Sequence, residues 1–292
     1  MKRALTSLLL LFSCVAFAEE NPRASASPPV FDTPVFDIHV HLHDGAESLR
    51  EYRAAAESAG LAPIGLGAMW FGGPNQAQAG DPDDIRARND ALIGMAASDP
   101  AVMPIATVHP YDGQAALDEL ERIAGRGVKV IKLHAHTQRF DVDDPRLLAL
   151  VRKAGELGVV VLMDNANIVA GDSENLFSLA IRAQGTKFVF AHIGGLNFRF
   201  WNILPLARTA EGLALENVYF DISGTVLLAA DSPIEEEFVW TLRNVGIDSL
   251  ILGSDYPQLS LADTLEALDK LDLSDEEKAK IRGGNARRLF GL

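Results

Sequence analysis

The sequence predicts a single-domain α/β fold, a (β/α)8 barrel, and three observations predict it. Eight short β-rich runs follow one another with helically patterned segments between them. Most of the runs are continuously apolar rather than alternating, as parallel strands covered on both faces require. The 292 residues, less an 18-residue leader, leave 274, which suits one barrel of about 250 residues.

Taken in order, the chain begins with MKRALTSLLLLFSCVAFA, residues 1–18. Lys2 and Arg3, the apolar run Leu8–Phe12 and the small-x-small triplet Ala16-Phe17-Ala18 together read as a signal peptide, too short to span a bilayer. The expectation is an exported protein, periplasmic or secreted. The alternative is a lipid anchor through Cys14, which follows a small residue at the end of a short apolar run. Cys14 is the single cysteine of the chain, so cleavage after Ala18 leaves a domain that cannot use disulfides. Residues 19–34, rich in Pro, Ser, Ala and Glu, read as a disordered lead-in, and the barrel is expected over 35–292.

The strand runs are Phe36–Val40, Pro63–Ala68, Val102–Val108, Val128–Leu133, Val159–Met163, Lys187–Ala191, Val218–Asp221 and Ser249–Gly253. Helical stripes lie between them, for example Leu117, Leu120 and Ala124, then Leu147, Val151 and Ala154. Two stretches are less regular. NFRFWNILPLARTAEG, between the sixth and seventh runs, reads partly as loop, and FGGPNQAQAGDP, after the second, reads as part of a lid. Ser274 with Glu277 is a capping-box signature, so a last helix is expected from there to about Phe290. No internal repeat and no later linker interrupts the series, so a second domain is not expected.

Charge narrows the partners. The chain carries 26 basic and 40 acidic residues, a formal charge of −14, which becomes −16 without Lys2 and Arg3 of the leader. So acidic a surface repels nucleic acid and anionic membrane, and it leaves small molecules as the expected partners. After the leader no apolar run reaches the about 20 residues of a transmembrane segment. Neither GxGxxG nor GxxxxGK[ST] is present to suggest a nucleotide.

Barrel enzymes build their sites at the C-terminal ends of the strands, so the polar residues that end the runs are the candidates. They are His39 and His41 on the first run, His109 on the third, Lys132 and His134 on the fourth, Asp164 on the fifth, His192 on the sixth, Asp221 on the seventh and Asp255 on the eighth. Residues two apart on a strand share a face, so His39 and His41 both aim into the barrel mouth and can reach one cation at about 2.1 Å. His43, of the same parity but beyond the strand, is a candidate substrate contact, as are Lys132, His134 and His109. A lone histidine is usually a satisfied core or surface imidazole, but six of the seven stand at or just beyond strand ends, with His136 in a following loop, and that clustering argues for a site. Lys132, in VIKLHAH, admits two roles: a carboxylated bridge between two metals, or an ion-pair partner and substrate anion contact. Asp221, in VYFDISG, either holds a neighbouring histidine or caps the next loop.

These residues resemble the amidohydrolase superfamily, in particular its amidohydrolase-related (amidohydrolase 2) branch, over Phe36 to Leu292. FDIHVH is similar to the strand-1 His-x-His metal motif, FAHIGG to the strand-6 histidine, ILGSDYP to the strand-8 aspartate and GGNARRLFGL to the C-terminal helix of that branch. The resemblance implies a TIM barrel holding a divalent ion, zinc or manganese. It implies His39, His41 and Asp255 as metal ligands, Asp255 also taking a proton from the attacking water, and His192 as a ligand or catalytic acid/base. One departure stands out at strand 5. Many relatives carry a histidine there, in a stretch similar to VLIHTG, whereas this chain reads VLMDNAN with Asp164 in that place. Asp164 is then expected as a metal ligand, and a carboxylate, being a harder donor than imidazole, tilts the site from Zn²⁺ towards Mn²⁺. Its alternatives are a pairing with Lys132, a cap on the NAN turn, or a site without metal, as in some lactonases of the superfamily.

A divalent ion lowers the pKa of bound water and polarises a carbonyl, while a neighbouring carboxylate handles the proton. The expected activity is a metal-dependent hydrolase cleaving a C–N or C–O bond of a small molecule: an amide, a cyclic amide or a lactone. The alternative is a metal-dependent decarboxylase of a small carboxylic acid, in which an acid protonates the carbanion. A third class, a non-catalytic exported binding protein, would keep the barrel mouth without the chemistry.

Overall fold

The computed structural model describes residues 34–61, 64–213 and 215–292. The expected signal peptide, Cys14 and the lead-in as far as residue 33 lie outside the described residues. Eight strands form one sheet in chain order: β1 (Val35–His41), β2 (Ile64–Met69), β3 (Val102–Ala106), β4 (Val130–Leu133), β5 (Val160–Met163), β6 (Phe188–Phe190), β7 (Val218–Asp221) and β8 (Leu250–Ile251). Every neighbouring pair from β1 to β8 is parallel. Between the last strand and the first, the Ile38 amide donates to Leu252 O at 3.0 Å and the His41 amide to Tyr256 O at 2.8 Å, so the sheet nearly closes into a (β/α)8 barrel.

The strands are apolar on both faces because each face has its own core. Inside the barrel, Met103 and Ile105 of β3, Val130 of β4, Val160 and Leu162 of β5, Val189 of β6 and Ile251 of β8 form one cluster. The intervening residues, such as Ile131, Val161, Met163 and Phe220, belong to a second cluster that covers the outer face and packs under the helices. Continuing the inward parity to each strand end and beyond places Lys132 and Asp221 inside, just below the mouth, and His134, Asp164 and Asp255 at it.

Helices α1 (Ala46–Ser58), α2 (Pro82–Ala97), α3 (Gln114–Gly125), α4 (Ala135–Gln138), α5 (Pro145–Glu156), α6 (Asp172–Arg182), α7 (Ile203–Arg208), α8 (Thr225–Ala229), α9 (Glu235–Val245), α10 (Leu261–Lys270), α11 (Asp275–Ala279) and α12 (Asn285–Phe290) fill the connections. Their starts are written locally. Asp81 and Asp144 cap α2 and α5, each with a proline at the first helical position. Ser274 and Glu277 form the expected capping box at α11, and a π-helical turn over Lys280–Gly284 carries the chain into α12, which ends at Phe290. The stretch read partly as loop is helical in its middle, with 3-10 turns before Asn202 leading into α7, and irregular at its ends, where Asn197 leaves helical geometry and residues 209–212 form turns. The insertion after β2 packs against the rim, with Asn75 Nδ2 donating to His43 O at 2.7 Å and Gln78 Nε2 to Thr137 O at 2.9 Å. No helix of the described residues is long and apolar enough to cross a membrane.

β1 departs from simple alternation in a way that matters for the site. Phe36 and Ile38 lie in the inner cluster, so strict alternation would turn His39 and His41 towards the helices. The pairing with β2 slips between Asp37 and Val40: Asp37 faces Leu66, and Val40 already faces Ala68. This bulge inserts one residue and returns both histidines to the interior, a common device beside active sites.

Candidate active site

The first group of side chains forms where β1 meets β8. His39 Nδ1 donates to Asp221 Oδ2 at 2.9 Å, and His41 Nδ1 donates to the Phe71 carbonyl. Each ring therefore presents its Nε2 lone pair to the same place, where Asp255 Oδ1 stands 3.3 Å from His39 Nε2 and 3.4 Å from His41 Nε2. The ligand atoms of His39, His41 and Asp255 all lie within 4.8 Å of one another. Burial, with the Lys132 charge adding to it, lowers the His39 pKa to about 4 against the pull of Asp221 and Asp255, which leaves the ring neutral as a metal ligand must be. Asp255 is lowered to about 2: burial opposes the shift, and His39, His41 and His192 outweigh it. Two imidazoles, each oriented by a hydrogen bond at Nδ1, and an ionised carboxylate fit a divalent cation.

His39, His192 and Asp221 also come within 4.8 Å. That grouping is a hydrogen-bonded network instead, because Asp221 is already spent on His39 Nδ1, the Ser223 amide and the Ser223 hydroxyl. Asp221 is completely buried and held well below the usual carboxylate range, since the charges and hydrogen bonds of His39, His192 and Ser223 exceed the cost of its burial.

Room for these groups comes from the backbone. A Cβ on Gly253 would sit 2.9 Å from His39 Cβ and 3.1 Å from Asp221 Cγ, so only glycine allows the His39–Asp221 pair at this corner. Asp37 ties the corner together: it accepts from the His39 amide at 3.1 Å, the Ser254 amide at 2.8 Å, the Ser254 hydroxyl at 2.6 Å and the Tyr52 hydroxyl at 3.0 Å. Burial outweighs these four bonds and raises Asp37 to about 6. His192, Ile193 and Asp255 adopt left-handed φ values of 61°, 44° and 65°, each costing on the order of 1 kcal/mol, and two of the three are site residues.

The second group lies across the mouth. His192 Nδ1 meets Ser223 O at 3.1 Å and its Nε2 meets Asp164 Oδ1 at 3.4 Å, so an acceptor stands at each ring nitrogen. Burial disfavours charge on His192, but the Asp164 hydrogen bond and the charges of Asp221, Asp164 and Asp255 win and raise it to about 9. Asp164 is correspondingly held far below the usual range despite burial, by His192, His134 and Lys132. His134 Nε2 lies 3.7 Å from Asp164 Oδ1, and burial lowers this ring to about 4 in spite of that carboxylate.

Both groups border one open cavity of about 780 Å³. His134, Asp164, His192 and Asp255 line it, with Asn167, Glu174, Ser223, Thr225 and Gln258 as further polar wall and Ile168, Leu196 and Leu228 at an exposed apolar rim. Of the residues expected at the site, then, His39, His41 and Asp255 come together, and Asp164 with His134 and His192 forms the facing wall. Asp164 belongs to neither close grouping of ligand atoms. Lys132 is buried beneath, with Nζ 3.2 Å from His39 Nε2. His109 is not brought to the cavity; Gln138 O lies 2.7 Å from its Nε2 and the Tyr111 amide donates to its Nδ1 at 3.0 Å. His43 borders a separate cavity of about 320 Å³ with Trp70 and Arg88. Sequence reasoning missed Asp37, Ser223, Asn167 and Glu174. Asp37 lay in view inside FDIHVH, Ser223 inside FDISG and Asn167 inside the NAN turn, whereas nothing marks Glu174 in the sequence.

A barrel with a metal-binding triad at the C-terminal ends of its strands and a cavity above it defines a metal-dependent enzyme for small molecules. The chain belongs to the amidohydrolase 2 branch of the amidohydrolase superfamily, whose family model matches residues 36–292. Among curated proteins none matches. Among solved structures, a putative amidohydrolase from Staphylococcus aureus superposes with a TM-score of 0.68 at 20% identity, covering 89% of this chain and 99% of that one. 5-Carboxyvanillate decarboxylase from Sphingomonas paucimobilis gives 0.67 at 17%, covering 90% and 100%. Dihydroxybenzoic acid decarboxylase from a Polaromonas species, solved with manganese and an inhibitor, gives 0.63 at 17%, covering 89% and 97%. At such identities the likeness speaks for the fold.

Proposed function

We propose that the chain is a metal-dependent decarboxylase of a small carboxylic acid, with the ion on His39, His41 and Asp255 and with His192 as the acid. The observation that carries this reading is the placement of His192. It stands on the cavity wall with Ser223 O 3.1 Å from Nδ1 and Asp164 Oδ1 3.4 Å from Nε2, where burial disfavours charge but the Asp164 hydrogen bond and the charges of Asp221, Asp164 and Asp255 outweigh it and favour the doubly protonated ring. Loss of CO2 leaves a carbanion, and what that chemistry needs from the protein is a positioned proton donor. Hydrolysis needs the opposite, a base to take a proton from water.

When bound, a divalent ion supplies Lewis acidity and holds an oxygen of the substrate in place. Manganese is the choice this reading favours, because the similar decarboxylase from Polaromonas contains it. The chain's own residues do the remainder. Asp221 and the Phe71 carbonyl fix the His39 and His41 rings, and Asp164 keeps the proton on His192 Nε2 for transfer to the carbon that has lost its carboxyl group. Ser223 O retains the Nδ1 proton, so the ring returns to one tautomer. Asp164 is thus assigned to the histidine and not to the ion, which departs from the expectation raised by its place on strand 5.

The test is to load the protein with Mn²⁺ and incubate it in D2O with a panel of small aromatic and aliphatic carboxylic acids. The expected result is CO2 release with one deuteron at the vacated carbon. Turnover of amides or lactones with oxygen taken from water, and no CO2 from any acid, would return the site to hydrolysis. We also propose, from the composition of residues 1–18, that the enzyme is exported; a mature N-terminus at Glu19 is expected, and one at Met1 or a lipidated Cys14 would contradict it.

A further inference from the structure

We propose that Lys132 and the divalent ion are mutually exclusive partners of His39, so that ion uptake displaces a buried ammonium from the site. The inference rests on the metal reading of His39, His41 and Asp255 and is independent of whether the reaction is a decarboxylation.

The argument begins with a lone pair. His39 Nδ1 is committed to Asp221, so the ring carries its acceptor lone pair on Nε2 alone. Lys132 Nζ points at that atom from 3.2 Å, and Asp255 Oδ1 lies 3.3 Å from the same atom. An imidazole nitrogen has one in-plane lone pair, and a metal ion at about 2.1 Å takes it entirely. An ammonium hydrogen bond to Nε2 and a metal bond to Nε2 cannot coexist.

Burial makes the competition matter. Lys132 is 1% exposed, on the inward parity of β4 with Val130 below it, and a buried ammonium requires a partner. Among the described residues, the hydrogen-bond partner of its Nζ is His39 Nε2. Three neighbouring groups feel its charge: His39 and His134 are lowered and Asp164 is held down partly by it. The ammonium thus already sits as the positive counterpart of the acidic groups that the ion would neutralise. When the ion arrives, Asp164 is the carboxylate to which the displaced ammonium can turn. The cost of that move is carried by the affinity for the ion, so this site binds more weakly than the same three ligands would without Lys132.

The test is metal affinity, measured for Mn²⁺ and Zn²⁺ by competition with a chromogenic chelator. Lys132→Met removes the ammonium and keeps an apolar stem of similar length. Its dissociation constants are expected to fall about tenfold or more, from the worth of one hydrogen bond to a charged group. Lys132→Gln retains a neutral N–H donor for Nε2 and is expected to tighten binding by less. A lysine that supported the site, as a bridge between metals or by plain packing, would give the opposite sign: weaker binding in both variants. Unchanged or weakened affinity in variants that melt cooperatively overturns the inference. A wild-type chain that takes up no ion overturns it together with the metal reading, whereas normal uptake without tightening in the variants overturns this inference alone.

Discussion

Two histidine–aspartate pairs face each other across the barrel mouth, and they hold opposite protonation states. His39 and Asp221 meet at 2.9 Å in full burial, yet His39 is lowered to about 4. His192 and Asp164 meet at a looser 3.4 Å on the cavity wall, and His192 is raised to about 9. The shorter contact does not make the more basic ring. What differs is the balance: at His39 burial, with the Lys132 charge added to it, outweighs Asp221 and Asp255, whereas at His192 the Asp164 hydrogen bond and the charges of Asp221, Asp164 and Asp255 outweigh burial. A histidine–aspartate contact by itself therefore assigns no role; the balance of burial and surrounding charge decides between ligand and acid.

The comparison breaks most visibly at His192. His192→Asn removes the proton donor and leaves the triad, so activity is expected to fall about a hundred- to ten-thousand-fold with bound metal unchanged, as elemental analysis of the purified variant will show. Loss of the metal as well would mean that His192 is a ligand and that the two pairs are one site. Asp221→Asn strikes the other pair. It leaves the His39 ring without its orienting carboxylate, and metal affinity is expected to drop about 10- to 100-fold in a chelator competition.

Asp164→Asn sharpens the comparison through pH. On the proposed reading activity needs protonated His192 and so fades as pH rises through the pKa of that ring, while the acid limb belongs to loss of the ion as His39 and Asp255 protonate. Without the Asp164 charge the His192 pKa falls, so the alkaline limb of the pH–rate profile is expected to move to lower pH by roughly 1–3 units, with the acid limb and the metal affinity in place. A variant that instead loses metal affinity would restore Asp164 to the ligand set. The smallest effect is expected at Ser223, whose hydroxyl lies 3.0 Å from His192 Nδ1 and 3.4 Å from His39 Nδ1 and so touches both pairs. Ser223→Ala should cost less than about tenfold in turnover, consistent with one hydrogen bond of about 1 kcal/mol.

How much of this could be read from the sequence follows from parity. Lys132, His134, Asp164, Asp221 and Asp255 continue the inward alternation of their strands, so an apolar run and a count of two suffice to place them. His39 and His41 reach the mouth for a reason the count does not contain: with Phe36 and Ile38 also inside, a bulge has to intervene, and its signal is the pairing with β2 rather than any residue of β1. His192 follows the inward-facing Ala191 and arrives through a left-handed turn with φ 61°, a conformation that its residue type does not announce. The electrostatic roles were less legible than the positions. Whether Asp164 serves the ion or a histidine depends on which neighbour is nearer in space, and strands 4, 5 and 6 supply those neighbours from residues far apart in the chain.

The central claim is that the mouth keeps one histidine neutral and its counterpart charged, and histidine ring NMR reads both states directly. In uniformly ¹⁵N-labelled protein loaded with diamagnetic Zn²⁺ near pH 7, the account predicts one imidazolium with protons on both nitrogens, absent in His192→Asn, and a neutral ring with its proton on Nδ1, absent in His39→Ala. A His192 ring that is neutral under these conditions, or a His39 ring that is protonated on Nε2, would contradict it.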